Sequence, residues 1–157
     1  MAINNFIALL KKEYEQYCLL QEKASLKQQA IINNDVEQLV DTLAAEQEIL
    51  NLIEDLEAER QQYLKKIAEE SKLEKEEASF KELLALFPEE KEELRELRKD
   101  ILYVLKTLQQ INEENRQLIQ DCLQINNYSL NLIRQAAGKG NPMEDKKGAG
   151  QLIDHKA

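Results

Sequence analysis

The sequence predicts an all-α fold, an antiparallel three-helix bundle of long coiled-coil-like helices with a short helix between helices 2 and 3. All four glycines lie in the last 20 residues, so no residue before Gly138 is of the type that tight hairpins and phosphate-binding loops need. The composition is 32% charged, 43% hydrophobic and only 5% aromatic, which is typical of long amphipathic helices. Apolar residues also recur at intervals of three and four, the helical period.

The first helix is predicted to begin at about Asn4, a residue suited to the N-cap, and to end at the Asn33–Asp35 segment. Asn34 is followed three residues later by Glu37, the spacing of a capping box, and this pair predicts the start of the second helix. The seam of the first helix is formed by Ile3, Ile7, Leu10, Tyr14, Tyr17, Ala24 and Ile31.

The second helix is predicted to end near Glu70 and carries its apolar residues on one seam, formed by Leu39, Leu43, Leu50, Ile53, Leu64 and Ile67. A charged connection follows, in which Ser71 with Glu74 and Ser79 with Glu82 both fit the capping box. We expect a short helix there, from about Phe80 to Phe87.

The third helix is predicted to begin near Pro88, which suits a first helical turn, and three of the next four residues are Glu, favoured by the positive end of the helix dipole. It continues to about Ala137, where Gly138 can cap it. Its seam keeps a spacing of four and three over five heptads, through Leu97, Ile101, Val104, Leu108, Ile111, Asn115, Leu118, Cys122, Ile125, Ser129 and Leu132.

Amides interrupt this seam, since Asn115 lies in its middle with Asn112 and Asn126 beside it. A buried Asn in a helical seam can fix register and partner choice at some cost in stability. The alternative is that these amides bind polar groups of a partner. Both interpretations stay open from the sequence.

Charged residues interrupt the seam of the second helix at Glu46, Glu57 and Arg60. Glu57 and Arg60 are three residues apart and can pair on one helix. We therefore interpret Glu46 and Arg60 as partly exposed structural charges at the edge of the bundle. Changing either to Ala is then expected to cost only about 0–1 kcal/mol.

The net charge of −9 disfavours a nucleic-acid surface and an anionic lipid surface, because both require clustered Lys and Arg. No apolar run approaches the roughly 18 residues of a membrane span, and no basic region precedes the first apolar residues as in a secretory signal. We expect a cytoplasmic protein without membrane insertion. Cys18 and Cys122 fall at apolar helical positions and are interpreted as small buried hydrophobes, with a disulfide as the alternative.

Catalytic residues cannot be assigned. The one histidine is His155, near the end of the chain, so the Glu-x-x-His pairs of di-iron bundles are absent. No Cys lies near a His as a nucleophile requires, and no set of residues has zinc-ligand spacing. The expectation is a protein without enzyme activity, cofactor or metal.

Three segments resemble the FlgN-type flagellar export chaperones, and together they extend from about Asn4 to Ile133. "INEENRQLIQDCLQI" is similar to the signature at the end of that family. "AAEQEILNLIEDLEAERQQYLKKI" resembles its middle segment, with Glu46 and Arg60 at the positions of the family's Glu and Arg. "LFPEEKEELRELRKDIL" resembles the start of its third helix.

The resemblance implies a cytoplasmic type III secretion chaperone. Such a protein binds the hook–filament junction proteins (FlgK and FlgL types), prevents their premature assembly, and delivers them to the export gate and ATPase complex. In the family, clients bind the C-terminal part of the chaperone. We expect residues 1–137 to form the chaperone domain and residues 138–157 a flexible polar tail. The tail matches no family pattern and leaves open a shorter client-binding helix than in some relatives.

Helix lengths also point to a partner site at the C-terminal end. At about 1.5 Å per residue the three helices measure roughly 44, 54 and 74 Å, so the third outruns its neighbours. The apolar arc at the C-terminal end of the third helix is wider than its neighbours can cover. The uncovered part is available to a partner helix, or to a second copy in a homo-oligomer. The alternative function is a self-associating coiled-coil scaffold or adaptor without an export role. The predicted partner-binding residues are Leu118, Ile119, Cys122, Ile125, Asn126, Tyr128, Leu132 and Ile133.

Overall fold

The computed structural model describes residues 2–138, which form four α-helices and a short 3₁₀ turn, with no strand in that range. The prediction of an all-α fold is confirmed, and the fourth helix is the short one expected between the second and third long helices. Apart from Gly138, the predicted tail lies outside the described residues, and so does His155. The helices are α1 (Ala2–Ile32), α2 (Val36–Glu70), α3 (Phe80–Leu86) and α4 (Lys91–Ala137), and the turn is Pro88–Glu90.

Helix α1 is the shared neighbour of the two other long helices. Helix α2 runs antiparallel to it, since Lys27 of α1 contacts Glu46 while the earlier Tyr17 contacts the later Glu57. Helix α4 runs parallel to it, since Lys11 pairs with Glu93 and Gln28 bonds Glu114. Within the described part of the chain, the α2 backbone approaches that of α1 closely but not that of α4.

The turn between α1 and α2 differs by one residue from the prediction. Asn34 has φ 55°, in the left-handed region that Asn tolerates, and this residue reverses the chain. Asp35 is therefore the N-cap of α2, and its carboxylate accepts a hydrogen bond from the Gln38 N–H at 3.0 Å. The predicted capping box of Asn34 with Glu37 is wrong for this reason. Helix α1 begins at Ala2, so Asn4 is not its N-cap either.

The connection after α2 contains one of the two predicted capping boxes. The Glu82 N–H donates to Ser79 Oγ and the Ser79 N–H donates to Glu82 Oε1, both at 3.2 Å, so that box is confirmed. The box predicted for Ser71 and Glu74 is wrong. Ser71 is instead the C-cap of α2, and Lys72, with φ 56°, turns the chain away from the helix axis.

Helix α4 has the predicted limits at both ends. Pro88 opens the 3₁₀ turn that leads directly into Lys91, as its fixed φ favours. Gly138 ends the helix in the left-handed conformation, φ 63°, and its N–H bonds the Gln135 carbonyl at 3.3 Å.

The buried core forms two clusters along α1. The first joins the start of α1 to the end of α2, to α3 and to the start of α4, through Ile3, Phe6, Ile7, Leu10, Ile67, Ala78, Leu83, Leu94 and Leu97. The second joins the three long helices near their middles, through Tyr17, Leu20, Ala24, Ile53, Val104 and Leu108. Neither cluster includes any residue of α4 beyond Leu108, so the hydrophobic core ends well before α4 does.

Candidate partner-binding surface

A layer of polar contacts crosses the helices just beyond the second cluster. Asn115 is only 2% exposed, and its Nδ2 donates to the Ala24 carbonyl of α1 at 3.0 Å. Ala24 is fully buried and has only a methyl side chain, which lets α4 approach the α1 backbone here. Asn115 thus makes a directional contact inside the chain, which favours its interpretation as a register residue. Its Oδ1 is buried without a hydrogen-bond partner, and Asn112 is exposed.

The same layer contains an ion pair that the sequence did not predict. Glu46 pairs with Lys27 of α1 at 3.2 Å, and the two side chains are only 12% and 11% exposed. Glu46 is therefore slightly exposed, but it lies between two helices rather than at the edge of the bundle. Because both charges lie between α1 and α2, each depends on the other for its counter-charge.

A second polar group lies between α1 and the middle of α2, at the opposite end of the second core cluster from this layer. Arg60 Nε lies 3.4 Å from Oε1 of Glu13, a carboxylate with no exposed surface and no hydrogen bond in the described structure. The predicted pair of Glu57 with Arg60 is wrong, because Glu57 accepts a hydrogen bond from the Tyr17 hydroxyl at 3.2 Å. These partners are on α1, so a reading of α2 alone could not find them.

The environment of this second group shifts two pKa values upward. Burial raises the pKa of Glu13, Arg60 opposes that rise, and the Glu57 charge adds to it. Burial, together with the charges of Glu13 and Glu57 and the hydrogen bond to Glu57, raises the pKa of Tyr17 to about 12, against an opposing effect of Arg60. The folded state therefore favours the neutral form of Glu13, and the charged carboxylate lowers the stability of the fold despite its pairing with Arg60.

Residues 116–137, called the distal segment from here on, lie beyond the last buried residue of α4, Asn115. Helix α1 ends at Ile32, eight residues past the Ala24 contact, so it can accompany parallel α4 for only about 12 Å beyond Asn115. The remaining helix, some 14 residues, extends about 20 Å further. Five large apolar side chains of the distal segment are exposed: Ile125 (64%), Tyr128 (66%), Leu130 (44%), Leu132 (48%) and Ile133 (64%).

The predicted partner-binding residues all lie on the distal segment. Leu118 and Ile119 are half-buried at its base, and the other six are exposed: Cys122, Ile125, Asn126, Tyr128, Leu132 and Ile133. They share one length of helix, and their role in binding remains a prediction.

Both cysteines are more exposed than the sequence predicted. Cys122 is exposed because α1 ends level with it and no helix covers it, and Cys18 is half-buried. Neither is a fully buried hydrophobe, and both thiols are free.

The sequence as a whole decides the family. The model of the family described as FlgN protein matches residues 1–147. The chain belongs to the FlgN family. No curated protein and no solved structure matches it. Membership confirms the resemblance drawn from the three segments, and the FlgN family implies a role as a flagellar export chaperone.

Within residues 2–138 no group of three or more His, Cys, Asp or Glu side chains is placed to hold a metal ion. In the same range, no helix combines the length and the apolar character needed to cross a bilayer.

A groove between α2 and α4 is a feature that the sequence did not predict. It has a volume of about 390 Å³, its floor includes Phe6 and Leu10 of α1, and Arg60 and Arg98 also line it. The Arg98 guanidinium stacks on the Phe80 ring at 4.9 Å. The groove exists because α2 and α4 do not pack closely on each other, and helical periodicity does not report such distances.

Proposed function

We propose that this FlgN family member binds the C-terminal segments of hook–filament junction proteins (FlgK and FlgL types) in the cytoplasm through the distal segment. It thereby prevents their premature assembly and delivers them to the export gate and ATPase complex. The observation that carries the proposal is the exposure of Ile125, Tyr128, Leu132 and Ile133 on a helix that extends past its neighbours.

The distal segment exposes several apolar side chains close together. A single exposed apolar residue on a helix is ordinary, but several within three turns form a surface that water solvates poorly. Ile125, Tyr128 and Leu132 follow each other at intervals of three and four, so they lie on one side of the helix. Tyr128 adds an apolar ring with a polar hydroxyl, a combination common at interfaces. A surface of this shape fits an amphipathic helix of a client.

The distal segment is also separable from the fold. Neither buried cluster contains any of its residues, and the last buried residue of α4 precedes it. Its helical order therefore depends little on tertiary contacts, and its end should open more readily than the rest of α4. A client that covers the apolar residues would stabilise it, which couples binding to local order.

Two changes test this proposal. Truncation after Leu123 should leave a cooperative unfolding transition while abolishing binding of the C-terminal segment of a junction protein. Leu132→Asp combined with Ile133→Asp should also abolish binding, because burying an unpaired charge costs more than burying a neutral polar group without a hydrogen bond, which itself costs roughly 2–7 kcal/mol. The measurements are calorimetric titration with the client segment and thermal melting of each variant.

The matched control is Leu50→Asp combined with Leu52→Asp, which introduces two charges at α2 residues that are 45% and 44% exposed. This control should bind like the wild type. If the truncated protein unfolds, the distal segment is part of the core and the site assignment is wrong. If the wild type forms only homo-oligomers and no defined complex with a junction protein, the alternative of a self-associating scaffold replaces the proposal.

A further inference from the structure

The distal segment is almost free of charge. Between Arg116 and Arg134 the only charged residue is Asp121, although 32% of the whole chain is charged. The Asp121 carboxylate itself accepts a hydrogen bond from Gln117 at 3.0 Å. The polar residues around the apolar ones are mostly amides, namely Gln117, Gln120, Gln124, Asn126, Asn127 and Asn131.

This composition is unusual for a helix that remains in water. Exposed helix faces in this chain, such as the outer face of α4 from Lys91 to Asp100, carry closely spaced Glu, Lys and Arg. The centres of protein interfaces are instead depleted of charged residues. Amides can form hydrogen bonds across an interface without the desolvation cost of a charge. The distal segment therefore has the composition of a covered surface.

The end of the α1–α2 hairpin adds a second apolar element at the same level. Gln28 contacts Glu114 of α4 at 3.0 Å, and Ile32 lies one turn further along the same side of α1. Ile32 is nevertheless 64% exposed, and Val36 at the start of α2 is 66% exposed.

Helix α4 also has an uncovered residue at the level of Ile32. Cys122 follows Asn115 by seven residues, two turns along the face of α4 that meets α1, and it is exposed. Ile31, seven residues after Ala24 on the face of α1 that meets α4, is buried, so the uncovered residues at this level are Ile32, beside that face, and Cys122 on α4.

From these placements we propose that the client site is composite. It comprises the exposed apolar residues of the distal segment together with Ile32 and Val36, and its occupant is an amphipathic helix whose apolar stripe is flanked by uncharged polar residues. The identity of that occupant as part of a junction protein rests on the proposed function. The 22 residues of the distal segment measure about 33 Å, which matches a helix of roughly 20 residues.

Two consequences distinguish this site from a general apolar surface. Binding should be nearly independent of ionic strength, because few charges meet at the interface. Binding should also depend on Ile32, although that residue belongs to a different helix from the distal segment. Ile32→Gln keeps a long helix-compatible side chain and removes the apolar contact. Leu26→Gln is the matched control, since Leu26 lies about 200° around α1 from Gln28.

The experiment uses the full chain and three probes. One is the C-terminal segment of a junction protein from the same bacterium. The other two are synthetic helices of about 20 residues with the same leucine stripe, flanked either by Gln and Ser or by Glu and Lys. Fluorescence anisotropy gives Kd at low and at high NaCl for the wild type, Ile32→Gln and Leu26→Gln.

The proposal expects the junction segment and the amide-flanked helix to bind with a Kd that changes less than about twofold with salt. The charge-flanked helix should bind more weakly, and Ile32→Gln should raise Kd roughly tenfold whereas Leu26→Gln should not. If the junction segment binds but Ile32→Gln has no effect, or if Kd rises steeply with salt, the composite site is wrong and the proposed function remains.

If only the amide-flanked helix binds, with the same dependence on Ile32, the site is correct and the proposed client is wrong. If no probe binds, both proposals are overturned, and sedimentation then shows whether the chain self-associates instead. Ile32 is exposed, so its substitution should leave the melting temperature unchanged, and a melting curve recorded for each variant separates loss of binding from loss of fold.

Discussion

The largely buried pair of Lys27 and Glu46 allows a strong test of the structure. The sequence and the structure predict different losses of folding free energy when one of the two charges is removed. Two unit charges 3.2 Å apart attract each other by about 5 kcal/mol at an effective dielectric constant of about 20. Most of that attraction offsets the cost of removing both ions from water. The pair as a whole is therefore expected to contribute little net stability, whereas either charge alone should be costly.

Glu46→Leu leaves the Lys27 ammonium between α1 and α2 without a counter-charge, and Lys27→Met leaves the Glu46 carboxylate in the same position. We expect each single change to lower the free energy of unfolding by about 2–4 kcal/mol. The double variant should return to within about 1 kcal/mol of the wild type, because Met and Leu fill the space with apolar atoms and leave no buried charge.

The measurement is urea unfolding followed by far-ultraviolet circular dichroism, with linear extrapolation to zero denaturant. A double-mutant cycle then gives the interaction energy of the two side chains, which should be at least about 2 kcal/mol. Single changes that each cost less than about 1 kcal/mol and simply add would refute the reasoning. Such a result would mean that the two charges are solvated, as the sequence alone suggested.

Three further changes test other polar groups. Asn115→Leu should leave the free energy of unfolding in urea unchanged or raise it by up to about 1 kcal/mol, because the buried Oδ1 disappears and the Ala24 carbonyl keeps its bond within α1. A clear loss would show that the Asn115 contact is needed for stability. Glu13→Gln should raise the melting temperature at pH 7, because burial raises the pKa of Glu13 and so the folded state favours the neutral form. Because the pKa of folded Glu13 is raised above the ordinary value of 4.5, its carboxyl takes up a proton before the pH falls to 4.5, and the gain should shrink over that range. An equal or lower melting temperature at pH 7 would contradict this prediction. Ser79→Ala should raise the pKa of Glu82, which hydrogen bonds from Lys75 and then from Ser79 hold low, and an unchanged Glu82 titration by NMR would show that the capping box is absent in solution.

The sequence predicted features whose physical causes are local. The limits of α4 follow from Pro88 and Gly138, each of which acts through its own backbone preferences. The start of α3 follows from the side chains of Ser79 and Glu82, which bond each other's backbone within one turn. At the α1–α2 turn two neighbouring residues could serve as the cap, and the choice of Asp35 over Asn34 depended on which one took the positive φ.

Features that depend on distances between helices could not be predicted. Glu46 has its partner 19 residues away, on α1, and only the pairing of the two helices brings Lys27 to it. The seam pattern of α1 does contain a signal, because Lys27 lies between Ala24 and Ile31 at the helical spacing. In α4 the pattern continues unchanged through Cys122, although α1, the helix that would cover that residue, ends level with it.

The unbroken course of α4 through Asn115 has a mechanical consequence. The helix passes from its packed half to its exposed half without a proline or a glycine, so the part that projects past the end of α1, about 14 residues, continues the axis of the packed half. That part is about 20 Å long, and a tilt of α4 by about 10° where α1 ends moves its tip by about 3–4 Å. The position of Ala137 in space therefore follows the packing of α4 against α1, far from Ala137 itself. Small adjustments of packing between α1 and α4 are amplified into large movements of the helix tip.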